Sequence, residues 1–455
     1  MSTSAAPAGS NLPSFATPIS TTAPVPFTRV PVAPVPFAQA LAARGAEILD
    51  RCTACGECVR VCPMPEPAGI GTEDPGALAA GVLAILRGAP HSAAAARWAA
   101  VCTGSGHCIP ACQHGVNPRF MLTLARLAAT ERKPAAARRS DAFARFGAMT
   151  TGVRVLSRMQ LAPELLARFR AGDDDDALPP DVVFYTGCNL LRTPHIALLC
   201  FDIMDALGLR YRVMGGPSQC CGVLQFRAGD LATSGRLAYR TVERLAGARG
   251  HRVLAWCPTC QIQLGEIVTP GKTDTRLDLQ PFLLFLHERL DALRPLLRHK
   301  VAKRVALHEH PGVPGVTEAA QAILQAIPGL ELVDLAQPRV GWMCNSLSTL
   351  PAWKRTVHQA QLAAAAAAGV DTLAGIYHAC HRELCSHEQD WPFAVVNFME
   401  LVGESMGLHR PDLFKRLKLM GDVDAILAEA APTMEANRVS LDEARAVVIG
   451  QLLAG

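Results

Sequence analysis

The chain has 455 residues, of which 50% are hydrophobic and 18% are charged, so it can bury large apolar cores and is not a disordered polypeptide. Its formal net charge is +4, too small an excess of basic residues for a surface that binds nucleic acid, and no nucleic-acid partner is expected. A chain of this length accommodates two or three domains.

Residues 1–37 are rich in proline, alanine, serine and threonine, and Arg29 is the first basic residue. Prolines interrupt every apolar stretch that could form a secretory signal, so we predict a disordered tail. Further along the chain no run of about 18 uninterrupted apolar residues occurs, and no transmembrane segment is expected. These features predict a cytoplasmic protein that associates with a membrane only through a partner.

The spacing of apolar residues predicts helices across residues 38–170, for example over Gly76–Leu86 and Met121–Glu131. A run of four aspartates and a pair of prolines then end the helical pattern. We interpret residues 171–180 as a solvated linker between two domains.

After this linker, short β-branched runs alternate with helical stretches, which is typical of α/β units. The predicted strands are Val182–Thr186, Arg210–Met214 and His251–Trp256, and the predicted helices are Pro194–Leu207 and Leu231–Ala246. A helical extension is predicted for residues 401–455.

An internal repeat organises the α/β part of the chain. Its first copy, residues 181–300, contains Cys188, Cys220, Cys221, Cys257 and Cys260. Adding 123 to each number gives Pro311, Met343, Cys344, Cys380 and Glu383 in a second copy, residues 301–400. Strand-like runs precede two of these positions, over Val305–His308 and Leu373–Tyr377. We predict an old duplication whose second copy has lost three of five thiols.

Fifteen of the sixteen cysteines fall in tight groups or at these offsets, a distribution typical of metal binding rather than of disulfides. The exception, Cys200, lies on an apolar helix and is interpreted as a buried hydrophobic residue. The first group is Cys52, Cys55, Cys58 and Cys62, followed by a proline. This is bacterial ferredoxin spacing, in which three thiolates bind one cubane cluster and the fourth serves a partner cluster.

The partner run contains Cys102, Cys108 and Cys112, with Ser105 where a further cysteine is usual. Crossed ligation predicts two sets of ligands. A [4Fe–4S] cubane is bound by Cys52, Cys55, Cys58 and Cys112, and a second cluster is bound by Cys62, Cys102 and Cys108. Ser105 either supplies an alkoxide to a fourth iron or leaves that corner vacant in a [3Fe–4S] cluster. We favour three irons, because a hydroxyl is a much weaker acid than a thiol.

The five cysteines of the first copy form the motif Cys-x31-Cys-Cys-Gly-x34-Cys-x2-Cys. Consecutive side chains diverge, so Cys220 and Cys221 cannot easily serve two corners of an ordinary cubane. The motif therefore indicates either a cluster of a different shape or a disulfide.

On these motifs the chain resembles heterodisulfide reductases over roughly residues 45–400. The ferredoxin runs are similar to the helical ferredoxin domains of succinate dehydrogenase iron–sulfur subunits and of the C subunits of heterodisulfide reductases. The missing cysteine also looks like the three-iron run of the succinate dehydrogenase subunits. The five-cysteine motif resembles the CCG domain of the B and D subunits of heterodisulfide reductases, and of the iron–sulfur subunits of glycolate oxidase and glycerol-3-phosphate dehydrogenase.

This resemblance implies an α+β fold, with an N-terminal all-α ferredoxin-like domain followed by a duplicated α/β CCG domain. It also implies a noncubane [4Fe–4S] cluster in the first copy, bound by Cys188, Cys220, Cys221, Cys257 and Cys260. Glycines would let the backbone approach that cluster at Gly187, Gly216 and Gly222.

The second copy retains Cys344 and Cys380 and has an extra thiol, Cys385, and the three form a candidate second site. Nearby histidines are further candidate metal ligands: His308, His310, His378 and His381. In heterodisulfide reductases two noncubane clusters are thought to grip the two sulfurs of one disulfide. The loss of one cluster argues against that chemistry here.

Two ferredoxin-type clusters and one unusual cluster on a single chain predict an electron conduit. No glycine-rich phosphate loop follows a strand, so no flavin or nicotinamide is expected on this chain. Our leading interpretation is an iron–sulfur electron-transfer subunit of a multi-subunit oxidoreductase. It would connect a flavoprotein dehydrogenase partner with a quinone, carrier or thiol/disulfide acceptor, and a membrane or quinone-reducing partner is a further candidate.

The alternative interpretation is a heterodisulfide reductase-like catalyst that reduces a disulfide at the noncubane cluster. A third interpretation is an assembly scaffold or an oxygen-sensing regulator. Redox potentials coupled to turnover would distinguish the first two interpretations from the third.

Overall fold

Helices build the first part of the molecule. The computed structural model describes residues 36–170, 179–248, 252–272, 274–275 and 277–454. The helices before the first strand are α1 (Phe37–Arg51), α2 (Glu57–Arg60), α3 (Pro75–Leu86), α4 (Ala93–Val101), α5 (Pro118–Glu131), α6 (Ala135–Gln160) and α7 (Pro163–Ala167). Most of the predicted tail and of the predicted linker lies outside the described residues. Phe37, the last residue assigned to the tail, begins α1 and is buried.

Capping side chains and prolines explain where several of these helices begin. The side chains of Asp74, Ser92 and Asn117 accept hydrogen bonds from backbone N–H groups in the first turns of α3, α4 and α5. Pro75 and Pro118 occupy the first helical position, where a missing N–H costs no hydrogen bond. The two helices predicted here from apolar spacing are confirmed as α3 and α5.

A four-stranded parallel sheet is the centre of the first lobe, which we define as residues 179–301. Its elements are β1 (Val182–Tyr185), α8 (Pro194–Ala206), β2 (Tyr211–Met214), α9 (Val223–Ala228), α10 (Leu231–Gly247), β3 (Arg252–Ala255), α11 (Pro258–Gln261), β4 (Leu279–Pro281), α12 (Phe282–Glu288) and α13 (Leu290–Leu293). The strand order is β2-β1-β3-β4. Every residue of β1 is buried, as is typical of parallel sheets in α/β units. The strands and helices predicted for this lobe are confirmed to within one residue.

A second parallel sheet is the centre of the second lobe, residues 302–410. Its elements are β5 (Arg304–His308), α14 (Val316–Gln325), β6 (Glu331–Val333), α15 (Pro351–Ala367), β7 (Thr372–Gly375), α16 (His378–Leu384), β8 (Ala394–Asn397) and α17 (Phe398–Met406). The strand order is β6-β5-β7-β8, which is the order of the first sheet with each number raised by four. The two sheets therefore have the same topology.

The strand registers show that the constant offset of 123 residues does not hold across the two lobes. Val182 pairs with Arg252 in the first sheet, and Val305 pairs with Thr372 in the second. The offset is thus 123 residues between β1 and β5 but 120 residues between β3 and β7. In the same way α16 begins three residues after β7, as α11 does after β3. Cys380 consequently stands at the position of Cys260, not of Cys257.

The C-terminal helices return to the helical part of the molecule. They are α18 (Leu413–Met420), α19 (Val423–Ala436) and α20 (Leu441–Val447). Together with α6 they enclose a separate apolar core that includes Val155, Leu156, Phe414 and Ile426. The predicted boundary between residues 400 and 401 falls inside α17, which packs on α8 and α14. Across the described ranges no helix, the 26-residue α6 included, is both long and apolar enough to span a bilayer.

A buried arginine ties the helical part to both lobes. Arg119, in α5, donates hydrogen bonds from Nη1 to the carbonyl oxygens of Gly104 at 2.9 Å and Gly312 at 2.6 Å. Its Nε donates to Oε2 of Glu266 at 3.1 Å. One side chain therefore satisfies two carbonyls and a carboxylate from three parts of the chain.

Replacing Arg119 with methionine should destabilise the protein by about 3 kcal/mol, because a partly buried carboxylate and two carbonyls lose their partner. The measurement is the guanidinium midpoint of the anaerobic holoprotein. Arg97→Met, at an exposed position of α4, is the matched control and should change stability by less than about 0.5 kcal/mol. Equal midpoints for the two variants would contradict the role assigned to Arg119.

Candidate metal centres

The first ferredoxin-type set comes together near the protein surface. Cys52, Cys55, Cys58 and Cys112 line one small cavity. Burial and then the three neighbouring thiols raise the pKa of Cys58 to about 12. Cys55 is exposed, whereas Cys58 is buried. The structure thus brings Cys112 to the three cysteines of the first run, as crossed ligation predicts.

The second set lies deeper and shares Cys62 with the first run. Cys62, Cys102, Cys108 and Ser105 line a second small cavity. The indole Nε1 of Trp98 donates to Cys62 Sγ at 3.5 Å, which helps to orient this thiol toward Cys102. Burial raises the pKa of Cys62 to about 11, although the Trp98 hydrogen bond acts in the opposite direction.

The hydroxyl of Ser105 is engaged by protein atoms. Its Oγ accepts a hydrogen bond from the backbone N–H of Gly341 at 2.8 Å and lies 3.2 Å from Oγ1 of Thr103. Ser105 itself is buried. These contacts hold the oxygen at the junction between the helical part and the second lobe.

The five cysteines of the first lobe form one continuous group of buried thiols. Side-chain contacts link the sulfurs in the order Cys188, Cys220, Cys221, Cys260 and Cys257. They follow the carboxyl ends of β1, β2 and β3, which meet at one edge of the sheet. All five are free thiols, so the disulfide alternative is not adopted. The chemistry of this donor set fits an iron–sulfur cluster.

Three arginines lie near this group of thiols. Arg192 and Arg382 are half-buried, and Arg227 is exposed. Arg192 faces Cys188, Arg227 faces Cys221 and Cys257, and Arg382 of α16 faces Cys257 and Cys188. Their guanidinium groups place positive charge beside the thiols, which favours negative charge at this site.

Glycines permit the close packing of the cysteine loops. Gly187 has φ = +64°, and a Cβ added there would lie 3.0 Å from Cys260 Sγ. Gly222, with φ = +78°, would place a Cβ 2.7 Å from the carbonyl oxygen of Ser234. Gly216 also has a positive φ but no close neighbour, so only its backbone conformation requires glycine.

The structure separates the candidate ligands of the second lobe. His308, His310, Cys344 and Cys380 come together, with their ligand atoms within 4.8 Å of one another. Cys385 lies instead in the core formed by α6 and the C-terminal helices.

The other two candidate histidines, both on α16, make different contacts. The imidazole of His378 lies beside Cys257 of the first lobe. His381 contacts Asp412 at 2.5 Å. Neither belongs to the four-residue group of the second lobe.

Comparisons with known proteins agree with the geometry of the first lobe. The CCG family, described as a cysteine-rich domain, matches residues 182–265. The D subunit of the dihydromethanophenazine:CoB–CoM heterodisulfide reductase of Methanosarcina mazei is 23% identical over 409 residues, covering 79% of this chain and 94% of that protein. The corresponding protein of Methanosarcina barkeri is 22% identical over 410 residues, with the same coverage.

The chain thus contains a CCG cysteine-rich domain and is similar, over most of its length, to the D subunits of heterodisulfide reductases. The resemblance stated from its cysteine motifs is confirmed, and so is the expectation of an oxidoreductase subunit. The fold combines a helical N-terminal part with two small parallel sheets and their helices.

A cavity of about 450 Å³ adjoins the second ferredoxin-type group of cysteines. Its walls are mostly apolar, and Cys102 reaches its edge. Arginines also line it, namely Arg119, Arg126, Arg132 and Arg227. Arg227 is exposed, and an arginine side chain is cationic at neutral pH. The cavity therefore suits an anionic or amphipathic molecule.

These arginines were not identified from the sequence. Nothing in the spacing of Arg119 or Arg227 distinguishes them from the other basic residues of the chain, and both act through contacts with distant segments. The pattern His308-x-His310 at the end of a strand was a usable signal, because it directs two imidazoles to the edge of the sheet where ligands gather.

A buried charged network joins the first lobe to the C-terminal helices. His195, in α8, lies with Nδ1 3.4 Å from Asp412 and Nε2 3.7 Å from Glu400. Burial alone would lower the pKa of His195, but the two carboxylates outweigh it and raise the pKa, while Lys415 opposes them. His381 also lies beside Asp412, and the two histidines lower the pKa of that carboxyl against the effect of burial.

The raised pKa of His195 predicts that stability falls as the pH rises above about 6.5, because the folded state then holds a proton that the unfolded state releases. His195→Gln should remove that part of the pH dependence, measured as the guanidinium midpoint between pH 6 and 9. His409→Gln, at an exposed position, is the control and should follow the wild type. If the guanidinium midpoints of the wild type and of His195→Gln depend on pH in the same way, protonation of His195 does not stabilise the fold.

Proposed function

We propose that this protein is an iron–sulfur electron-transfer subunit of a multi-subunit oxidoreductase, with a [4Fe–4S] cubane, a [3Fe–4S] cluster and a noncubane [4Fe–4S] cluster. The observation that carries this proposal is the gathering of twelve free cysteines into three groups by one chain. Clusters bound in such groups supply one-electron transfer. The proposed ligand sets are the two predicted from ferredoxin spacing and the five-cysteine set that the resemblance to CCG domains implies.

The protein side chains bind the clusters, orient them and set their electrostatic surroundings. Trp98 directs the Cys62 thiol, and Arg192, Arg227 and Arg382 offset negative charge around the first-lobe thiols. His378 extends this shell from the second lobe to Cys257. We propose that the two lobes arose by duplication, which their shared strand order supports.

The exposure of Cys55 supports the first ferredoxin-type set as the site of electron exchange with a partner. Its group is the nearest of the three to solvent, since the first-lobe cysteines are all buried. The relatives are named as one subunit of a heterodisulfide reductase, which supports an assembly with other chains. We propose a flavoprotein dehydrogenase as the donor and a quinone, carrier or thiol/disulfide as the acceptor.

Three irons in the second centre are supported by the contacts of Ser105. Its oxygen already accepts from Gly341 and shares a hydrogen bond with Thr103, and both contacts compete with a bond to iron. The three thiols around it provide one ligand to each of three irons. The fourth corner then faces the serine without a bond.

Two substitutions at Ser105 test the composition of this centre. Ser105→Ala should leave the iron content unchanged, whereas Ser105→Cys should add one iron per chain by completing a four-thiol set. Iron and sulfide analysis of anaerobic protein, with EPR of the oxidised state, gives the readout. The loss of one iron from Ser105→Ala would instead establish an alkoxide ligand.

A second candidate function is the reduction of a disulfide, and the arginine-lined cavity favours it. The cavity reaches Cys102 on one side and Arg227, beside Cys221 and Cys257, on the other. An anionic disulfide could bind there and take up two electrons and two protons to leave as two thiols. The electron-transfer proposal needs no such substrate.

Reoxidation of the isolated, fully reduced protein separates the two functions. In the electron-transfer proposal, any thiol/disulfide acceptor reacts on a partner subunit and not on this chain. A soluble benzoquinone therefore reoxidises the clusters of the isolated protein and oxidised glutathione does not, as followed by visible absorbance under anaerobic conditions. Fast reoxidation by the disulfide, slowed at least tenfold in Arg227→Met but not in the exposed control Arg244→Met, would replace the relay with a catalyst. The tenfold effect corresponds to about 1.4 kcal/mol of lost interaction with the anion.

A further inference from the structure

Four buried side chains of the second lobe converge at the carboxyl ends of its strands. His308 ends β5, His310 follows it, Cys344 lies after β6, and Cys380 is in the first turn of α16 after β7. All four residues are buried. Imidazole and thiolate are the ligands that zinc prefers, and two of each form a common closed set.

The distances within this group match a tetrahedral ion. His308 Nε2 lies 3.0 Å from His310 Nε2 and 3.0 Å from Cys344 Sγ, and Cys344 Sγ lies 3.8 Å from His310 Nε2. Tetrahedral zinc with bonds of 2.0–2.3 Å places its ligand atoms about 3.3–3.8 Å apart. The four side chains are thus close to the required arrangement.

The Nδ1 atoms of His308 and His310 already form hydrogen bonds. Nδ1 of His310 donates to the carbonyl oxygen of Val340 at 2.6 Å, and Nδ1 of His308 donates to Oε1 of Gln361. In the neutral tautomer that carries its proton on Nδ1, each Nε2 has a lone pair, and the two lone pairs face each other across 3.0 Å. A cation between them converts this repulsion into two bonds, and backbone or amide acceptors on Nδ1 are the usual support of metal-binding histidines.

A comparison of equivalent positions in the two lobes explains why an ion fits here and a cluster does not. By strand register, His310 stands where the first lobe has Gly187, whose missing side chain leaves room beside Cys260. Its imidazole fills that room in the second lobe. Pro311 replaces Cys188 and Tyr377 replaces Cys257, so neither further thiol is present.

We propose that His308, His310, Cys344 and Cys380 bind one zinc ion that is structural. The four ligands leave no open position for water or substrate, as in closed zinc sites. The ion would join β5, the loop after β6 and α16, and α16 also carries His378 to Cys257 of the first lobe. The proposal is independent of the iron centres, whose ligands are different residues.

Metal analysis of the anaerobically purified holoprotein tests the proposal. We expect one zinc per chain in addition to the irons, and zinc-edge X-ray absorption should show two sulfur and two nitrogen neighbours at about 2.3 and 2.0–2.1 Å. Cys380→Ser and His310→Ala should lose the zinc and retain the iron. The buried controls Cys385→Ser and Cys200→Ser should retain both.

The reciprocal variant Cys221→Ser should lose iron and retain zinc, so the two kinds of centre are separated by one measurement. Iron at the four ligands, a Cys344–Cys380 disulfide in wild-type protein, or zinc retained in both ligand variants would overturn the proposal. If the ligand variants do not fold, the absorption spectrum of the wild-type protein decides by itself. A spectrum with four sulfur neighbours or none contradicts the assignment.

Discussion

The five thiols of the first lobe and the four-residue group of the second lobe owe their positions to one constraint, the parallel pairing of the strands. Parallel strands end at the same edge of a sheet, so loops that follow neighbouring strands meet there. β1 lies between β2 and β3, and β5 lies between β6 and β7. Cysteines 31 or more residues apart in the sequence therefore become neighbours without a disulfide. Backbone pairing alone brings these loops together, so the side chains of the loops can differ between the two lobes.

The two lobes show how one scaffold supports two kinds of donor set. Gly187 keeps space open beside five thiols, whereas His310 fills the equivalent space in the second lobe. Under the zinc assignment proposed above, the imidazole of His310 occupies space that Gly187 leaves empty and supplies a ligand to the ion. The second lobe then has two nitrogen donors and two thiols where the first lobe has five thiols.

The sequence predicted the local features of this protein and missed the distant ones. Cysteine spacing identified the groups of thiols, because ferredoxin and CCG motifs have local signatures, and apolar periodicity located β1, α8 and α10. The constant repeat offset failed because loop lengths changed between strands, which no single sequence reveals. The role of Arg119 was invisible, since its partner Gly312 lies 193 residues away and no spacing rule links them.

Packing, rather than a flexible hinge, holds the second ferredoxin-type centre against the lobes. A Cβ added at Gly104 would overlap the ring of Trp342, so the loop after Cys102 touches the second lobe with bare backbone. Arg119 bonds to the carbonyls of Gly104 and Gly312 across the same junction, and Ser105 accepts from Gly341 there. Because these contacts involve backbone on both sides, the distance between the second centre and the lobes is set by the fold itself. The electron transfer proposed here would therefore require no domain motion, and its remaining determinant in the protein would be the charge around each centre.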